Sequence, residues 1–266
     1  MHGIGNDFVV LDLLDKPEPS DPAELSRRMN DRRKGVGGDG LILVERGNGA
    51  PYRMRMFNPD GSEAEMCGNG IRCFARLLRD RGYLTGTEAD IDTGAGRLVV
   101  HLTEDGQVRV NMGMARLTRG EIPMVGPESD RFVDEPVGVS SWRGTAVSMG
   151  NPHLVLFTDD VAAVSLGVLG PQLESGPLFP RKTNVHFVQV ASRTHLIQRT
   201  WERGAGVTLA CGTGACAVAV AGFLTGRSER CVGIDLPGGR LAIEYSENGT
   251  VFMTGPAVTV YEGEWR

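Results

Sequence analysis

Two cysteines in this chain are each followed by Gly-x-Gly, as Cys67-Gly68-Asn69-Gly70 and Cys211-Gly212-Thr213-Gly214. A thiol can take or give a proton near neutral pH. Helical sequence follows each copy. Ile71, Phe74, Leu77 and Leu78 recur at spacings that share one helix face. Ala215–Leu224 is rich in Ala and Val on all sides, the pattern of a buried helix. A helix start carries partial positive charge, which favours thiolate over thiol. Its free N–H groups can hold a carboxylate, and glycine lets that carboxylate come close. One such loop can bind an α-carboxylate and set sulfur beside the adjacent Cα. Two can address opposite faces of that carbon, one sulfur removing its proton while the other delivers a new one. The product is the inverted stereocentre. A Cα–H is a very weak acid, and the helix ends would stabilise the negative charge that builds up on the carboxylate.

Other readings of these cysteines are weaker. A single Cys-Gly-x-Gly equally suits a buried cysteine in a glycine turn, but two copies at equivalent places argue for function. The Cys67/Cys73 and Cys211/Cys216 spacings are not the short pairs of zinc sites, and on a helix neither pair shares a face. No metal site is expected. Cys73, Cys216 and Cys231 read as structural.

The elements that must position these loops also occur twice, and such a repeat sets the architecture. Gly5-Asn6-Asp7 answers Gly150-Asn151-Pro152, and Asp39–Val44 answers Asn184–Gln189. Ile91–Leu98 answers Ile234–Leu241. Each half reads as strand, strand, glycine loop, helix, hairpin. Strands are expected at Gly40–Glu45 and Val185–Val190. Hairpins are expected at Arg97–Leu102 with Val108–Met112 and at Leu241–Tyr245 with Thr250–Met253, each turning through an Asp-Gly or Asn-Gly pair. Further helices are expected over Asp21–Arg33 and Val161–Leu173. The halves join within 113–145. Val258–Tyr261 reads as a strand returning to the first half, giving domains 1–112 plus 257–266 and 113–256. The strand-like Thr145–Ser148 precedes Gly150-Asn151, whereas almost nothing precedes Gly5-Asn6. The first half is therefore expected to lack an opening strand, or the natural start to lie upstream of Met1.

Composition narrows the class. The 266 residues suffice for two ordinary domains, and 41% apolar with 23% charged content is that of a soluble globular protein. A net charge of −5 without a long basic block argues against nucleic acid as a partner. The longest nearly apolar stretch is far short of the roughly 20 residues of a membrane helix. No secretory leader is visible, and five cysteines, a sparse and odd number, suit reduced thiols in the cytoplasm.

Along its whole length the chain resembles the diaminopimelate epimerases. The resemblance rests on Met1-His2-Gly3-Ile4-Gly5-Asn6-Asp7-Phe8, on Phe57-Asn58-Pro59-Asp60-Gly61-Ser62-Glu63 leading into the Cys67 loop, on Gly150-Asn151-Pro152-His153, and on Glu202-Arg203-Gly204-Ala205-Gly206 leading into the Cys211 loop. It implies an α/β (α+β) fold of two pseudo-symmetric domains, each a curved, mostly antiparallel sheet wrapped around a central helix. It implies a cofactor-independent epimerase that interconverts LL- and meso-diaminopimelate on the way to lysine and peptidoglycan. Cys67 and Cys211 are then the acid/base pair, with His153 and Glu202 beside the reacting centre. The α-carboxylate belongs on the N–H groups of Gly68, Asn69, Gly212 and Thr213, and the α-ammonium on Glu202. Asn58, Asn151, Asn184 and Arg203 hold the far end of the substrate, and Asn6 lines the same cleft. Arg203 can grip a second carboxylate through a bidentate fork. Asn58 and Glu202 stand equally far before their cysteines, so one repeat position carries two chemistries and can serve an asymmetric ligand. A homodimer is also implied.

No cofactor is signalled: no lysine sits in a pyridoxal-phosphate context, and Gly35–Gly40 precedes a strand where a phosphate loop precedes a helix. The main alternative is a racemase of the same scaffold acting on another amino acid, such as histidine. A non-catalytic amino-acid-binding protein would have no need of two thiols. One departure from the family pattern is Val207, where the family usually has Glu. A carboxylate there can brace the helix start before Cys211, so Val207→Glu is expected to raise activity or stability.

Overall fold

The structure is a computed structural model that describes residues 1–139 and 141–265. The chain forms two compact units, Met1–Asn111 with the segment from Thr254 onward, and Met112–Met253.

In the first unit β1 (His2–Gly3) turns back antiparallel onto β2 (Asn6–Asp12). Helix α1 (Pro22–Asn30) then crosses over, so that β3 (Gly40–Arg46) lies parallel to β2. Asp21 caps α1 by accepting from the Glu24 N–H, and Pro22 opens it. β3 is buried from Gly40 through Glu45, which is why it reads as a continuous apolar run: a parallel strand covered on both faces has no polar side. β4 (Tyr52–Phe57) pairs antiparallel with β3, and β5 (Glu63–Ala64) folds onto its end. After α2 (Gly68–Asp80), β6 (Glu88–Thr93) pairs parallel with β4, and β7 (Gly96–Leu102) and β8 (Val108–Met114) continue antiparallel. α2 packs on β1, β2, β3, β4 and β7, with Ile71, Phe74 and Leu78 fully buried. A smaller core of Met29, Leu41, Leu43 and Phe57 gathers under α1.

The second unit repeats this order. β9 (Glu135–Pro136) pairs with β10 (Arg143–Ser148), which pairs antiparallel with β11 (Pro152–Thr158). α3 (Leu166–Glu174) crosses to β12 (Asn184–Ser192), parallel to β11, and β13 (His195–Glu202) and β14 (Gly206–Thr208) follow antiparallel. α4 (Gly212–Leu224) leads to β15 (Cys231–Leu236), parallel to β13, then to β16 (Gly239–Tyr245) and β17 (Thr250–Gly255). α4 is buried from Gly214 through Gly222. It is the central helix that its unbroken Ala/Val sequence predicts. The other side of the sheet holds a core under α3 that includes Leu166, Leu173, Phe179, Val185 and Phe187.

The details depart from the sequence reading where side chains compete for the backbone. α1 stops at Asn30 because the Asp31 carboxylate accepts from the N–H groups of Arg33 and Lys34, forming a turn. α3 begins only at Leu166, since Arg199 Nη1 draws the carbonyls of Val161, Ala162 and Val164 out of any helical ladder. The joining segment contributes Ile122, Met124, Phe132 and Val137 to the second unit's core. The first unit has its opening strand, reduced to His2–Gly3. Of the segment Val258–Tyr261, Val258 alone bridges back, exchanging two backbone hydrogen bonds with His2. Cys73 and Cys216 are buried as structural thiols should be, but Cys231 is exposed at the start of β15. Among the described residues no helix is long and apolar enough to cross a membrane.

Candidate active site

Cys67 is the N-cap of α2. Its backbone is extended (φ −139°, ψ 118°), and its sulfur accepts from the Gly70 N–H at 3.4 Å. The first N–H groups of a helix have no partner inside it, so those of Gly68 and Asn69 open beside the sulfur. Asn69 is almost fully buried, and its Nδ2 donates to Asn6 Oδ1 at 2.9 Å. Asn6 Nδ2 in turn donates to Asp39 at 2.7 Å. Asn69 Oδ1 is buried without a hydrogen-bond partner. One turn along the helix, Arg72 is fully buried, donating to the carbonyls of Gly68 (3.1 Å) and Pro256 (3.3 Å).

Cys211 is the N-cap of α4 with nearly the same backbone (φ −131°, ψ 100°), but its sulfur makes no capping hydrogen bond. It is buried, only 4% exposed. Burial pushes its thiol well above the ordinary 9.0, and the Glu202 carboxylate adds to this, outweighing the opposite pull of the Gly214 N–H and the Thr213 hydroxyl. Burial and Glu202 therefore oppose, at Cys211, the thiolate that a helix start favours. Glu202, at the end of β13, is held by the Thr208 hydroxyl at 2.6 Å.

A buried polar chain runs behind Cys211. His153 on β11 and His186 on β12 are both completely buried, with His153 Nδ1 2.9 Å from His186 Nε2. His153 Nε2 lies 2.9 Å from Asn151 Oδ1. A carbonyl oxygen only accepts, so His153 carries its proton on Nε2 and accepts on Nδ1 from His186. His186 Nδ1 accepts from the Thr200 hydroxyl (3.0 Å) and the Gln198 amide (3.1 Å). Asn151 Nδ2 donates to Thr213 Oγ1 at 3.4 Å, and Thr213 Oγ1 is 3.8 Å from the Cys211 sulfur. Burial holds both imidazoles neutral. The pKa of His186 is lowered to about 3, and that of His153 falls well below 6.5, with neighbouring His186 and Arg203 adding to the effect.

Each unit thus brings its turn asparagine onto its own cysteine loop, Asn6 onto Asn69 and Asn151 onto Thr213. The turns match, with Gly5 at φ 86° and Gly150 at φ 98°, where a side chain would be strained. Asn58 lies at the end of β4, donating to Ser62 Oγ at 3.0 Å. Asn184 is buried, and backbone groups engage its amide: Nδ2 donates to the Pro152 carbonyl (2.9 Å) and Oδ1 accepts from the Arg203 N–H (3.0 Å). It orients the turn that carries Arg203. The Arg203 side chain is exposed, with Nη1 donating to the Arg181 carbonyl at 3.2 Å. The sequence reading passed over His186, Arg72 and Thr208. A histidine inside an apolar strand and an arginine inside an amphipathic helix face were signals available in the sequence, but their partners lie on other elements.

A profile of the family described as diaminopimelate epimerase matches residues 1–118 and 145–260. Among curated proteins, a diaminopimelate epimerase of Moorella thermoacetica is 53% identical over 100% of this chain and 97% of its own length. One from Desulforudis audaxviator is 51% identical over 100% and 97%. Among solved structures, a PhzF-family phenazine biosynthesis protein of Bacillus anthracis superposes with a TM-score of 0.67 at 17% identity, covering 96% of this chain and 91% of that one. A hydroxyproline epimerase from Agrobacterium vitis gives 0.59 at 15%, covering 96% and 86%. These two share the fold. With the sequence match spanning both cysteine loops, the chain belongs to the diaminopimelate epimerase family.

Proposed function

We propose that this chain interconverts LL- and meso-diaminopimelate by proton transfer between Cα and two cysteines, Cys67 and Cys211. The observation that carries the reading is the duplicated cap: in both units a cysteine in extended conformation opens a buried helix. The α-carboxylate takes the first N–H groups of α2 and α4, those of Gly68, Asn69, Gly212 and Thr213, and the two helix ends stabilise the charge that develops on it. Glu202 takes the α-ammonium. Buried Cys211 enters as a thiol and donates the new proton while Cys67 takes the old one, and the reverse reaction exchanges these roles. Protonation belongs to the pair of thiols as a unit. Arg203 and Asn58 serve the distal amino-acid end, while Asn184 acts through the Arg203 backbone. The reaction supplies precursors of lysine and peptidoglycan in the cytoplasm.

Proton NMR of the reduced enzyme with LL-diaminopimelate in D2O tests this directly. Deuterium should enter at Cα as the meso isomer forms, and Cys67→Ala and Cys211→Ala should each slow this by about 10²–10⁴-fold. Undiminished exchange in either variant would overturn the two-thiol reading. Exchange with histidine, and none with diaminopimelate, would move the substrate and keep the chemistry.

A further inference from the structure

We infer that His186 is a positioning residue for the Cys211 half of the reaction: its Nε2–H fixes His153 and Asn151 so that the Thr213 hydroxyl donates to the Cys211 sulfur. The inference rests on Cys211 being one of the two proton-transferring thiols. The chain of donors has one direction. Thr200 and Gln198 supply hydrogens to His186 Nδ1, so the proton of this neutral ring sits on Nε2, aimed at His153 Nδ1. His153 then donates from Nε2 to Asn151 Oδ1, which turns Asn151 Nδ2 toward Thr213 Oγ1. With its oxygen already accepting, the Thr213 hydroxyl has its own hydrogen left for the sulfur 3.8 Å away.

Packing locks this arrangement. A Cβ added to Gly214 would stand 2.3 Å from His186 Cε1 and 3.0 Å from the Cys211 sulfur, so the imidazole lies against the first turn of α4 beside the thiol. His186 is fully buried, so no bulk water reaches the ring to substitute for a lost partner. The titratable groups facing Cys211 within this unit are Glu202 from β13, which opposes its ionisation, and His186 and His153 from β12 and β11; Arg203 acts on His153. Hydroxyl and amide donors are therefore what can offset burial when Cys211 must become a thiolate. In the first unit, at the offset that pairs Asn6 with Asn151, the places of His153 and His186 are taken by Phe8 and Leu41, both buried and apolar.

The test is the pH dependence of iodoacetamide alkylation at Cys211, read by mass spectrometry of the Cys211 peptide, alongside kcat and KM of the full chain. His186→Phe keeps a ring and removes the donor. It should raise the Cys211 alkylation midpoint by about one pH unit and lower kcat about tenfold at pH 8, with KM little changed. His186→Gln, whose amide can donate to His153 Nδ1, should restore most of both. Thr200→Val, which leaves the ring in place, should move the midpoint the same way by less, and it decides the question if His186→Phe does not fold. Unchanged midpoints in His186→Phe or, failing that, in Thr200→Val would overturn the inference, as would a folded His186→Gln as impaired as His186→Phe. Because alkylation reads the sulfur itself, an active Cys211→Ala enzyme would sink the reading under Proposed function separately.

Discussion

Behind Cys67, one turn along its helix, stands the buried guanidinium of Arg72, tied to the Gly68 and Pro256 carbonyls. At the corresponding place behind Cys211 stands Cys216, a small buried thiol. The polar groups of the second unit are instead a neutral histidine pair and the Glu202 carboxylate. The two caps share a backbone, yet Cys67 is partly exposed and Cys211 is buried. A twofold scaffold thus gives its two thiols different surroundings through side chains one layer behind them. The backbone repeat fixes where the sulfurs are attached, and the packed residues behind fix the surroundings each one meets.

The comparison breaks most readily at Arg72. Arg72→Met strips two carbonyls of a buried donor. It should cost about 2–4 kcal/mol, read as a lower urea midpoint at unchanged m-value. Cys216→Ser in the second unit should cost less, since it replaces one small side chain by another of nearly the same shape. Equal losses would mean that Arg72 contributes only volume.

Glycine offers the next contrast. A Cβ on Gly214 meets His186 at 2.3 Å, whereas on Gly70 its nearest contact is the movable Cδ1 of Ile42 at 3.1 Å. Gly214→Ala should destabilise by about 1–3 kcal/mol and reduce turnover, and Gly70→Ala should be milder on both counts. Thermal melts and initial rates compare the two variants, and the opposite order would remove the special closeness claimed for the Cys211 loop.

The histidine pair also predicts an acid limit that the first unit does not share. Both imidazoles titrate lower in the folded state than the ordinary 6.5, His186 at about 3. Below pH 6.5 the unfolded chain binds protons that the folded chain refuses. Their contribution is therefore present above 6.5 and is lost as pH falls toward about 3, at a slope of about 1.4 kcal/mol per pH unit for each histidine. Urea unfolding between pH 7 and pH 5 should show this slope, and His186→Phe should reduce it. A slope unaffected by the substitution would place the acid sensitivity elsewhere.

The smallest expected effect is at Val207, 58% exposed in β14 opposite Trp201. Val207→Glu adds a carboxylate near the start of α4 and should raise stability by about 0.5 kcal/mol or less, with turnover equal or slightly higher. An unchanged melting temperature together with unchanged kcat would leave that position no bracing role.

Much of this was readable without coordinates. The repeat, the two Cys-Gly-x-Gly helix starts, the buried Ala/Val helix and the paired hairpins follow from periodicity and turn chemistry, which are local properties of the chain. The turn asparagines were also legible, because Gly-Asn recurs at the repeat offset before each parallel strand. What sequence could not supply was who faces whom across elements. His186 and His153 are far apart in the chain and meet only because β11 and β12 run parallel in one register. Asn184 read as a substrate ligand, and only the fold reveals that backbone groups of Pro152 and Arg203 hold its amide. The late start of α3 depends on Arg199, a strand away in space. Above all, the sequence determined that there are two thiols at two helix starts, because a cap is set by a few adjacent residues. The tertiary structure alone decided that Cys211 is the more deeply buried one and that its ionisation is opposed, because desolvation and the nearness of Glu202 arise only when the second unit folds around α4.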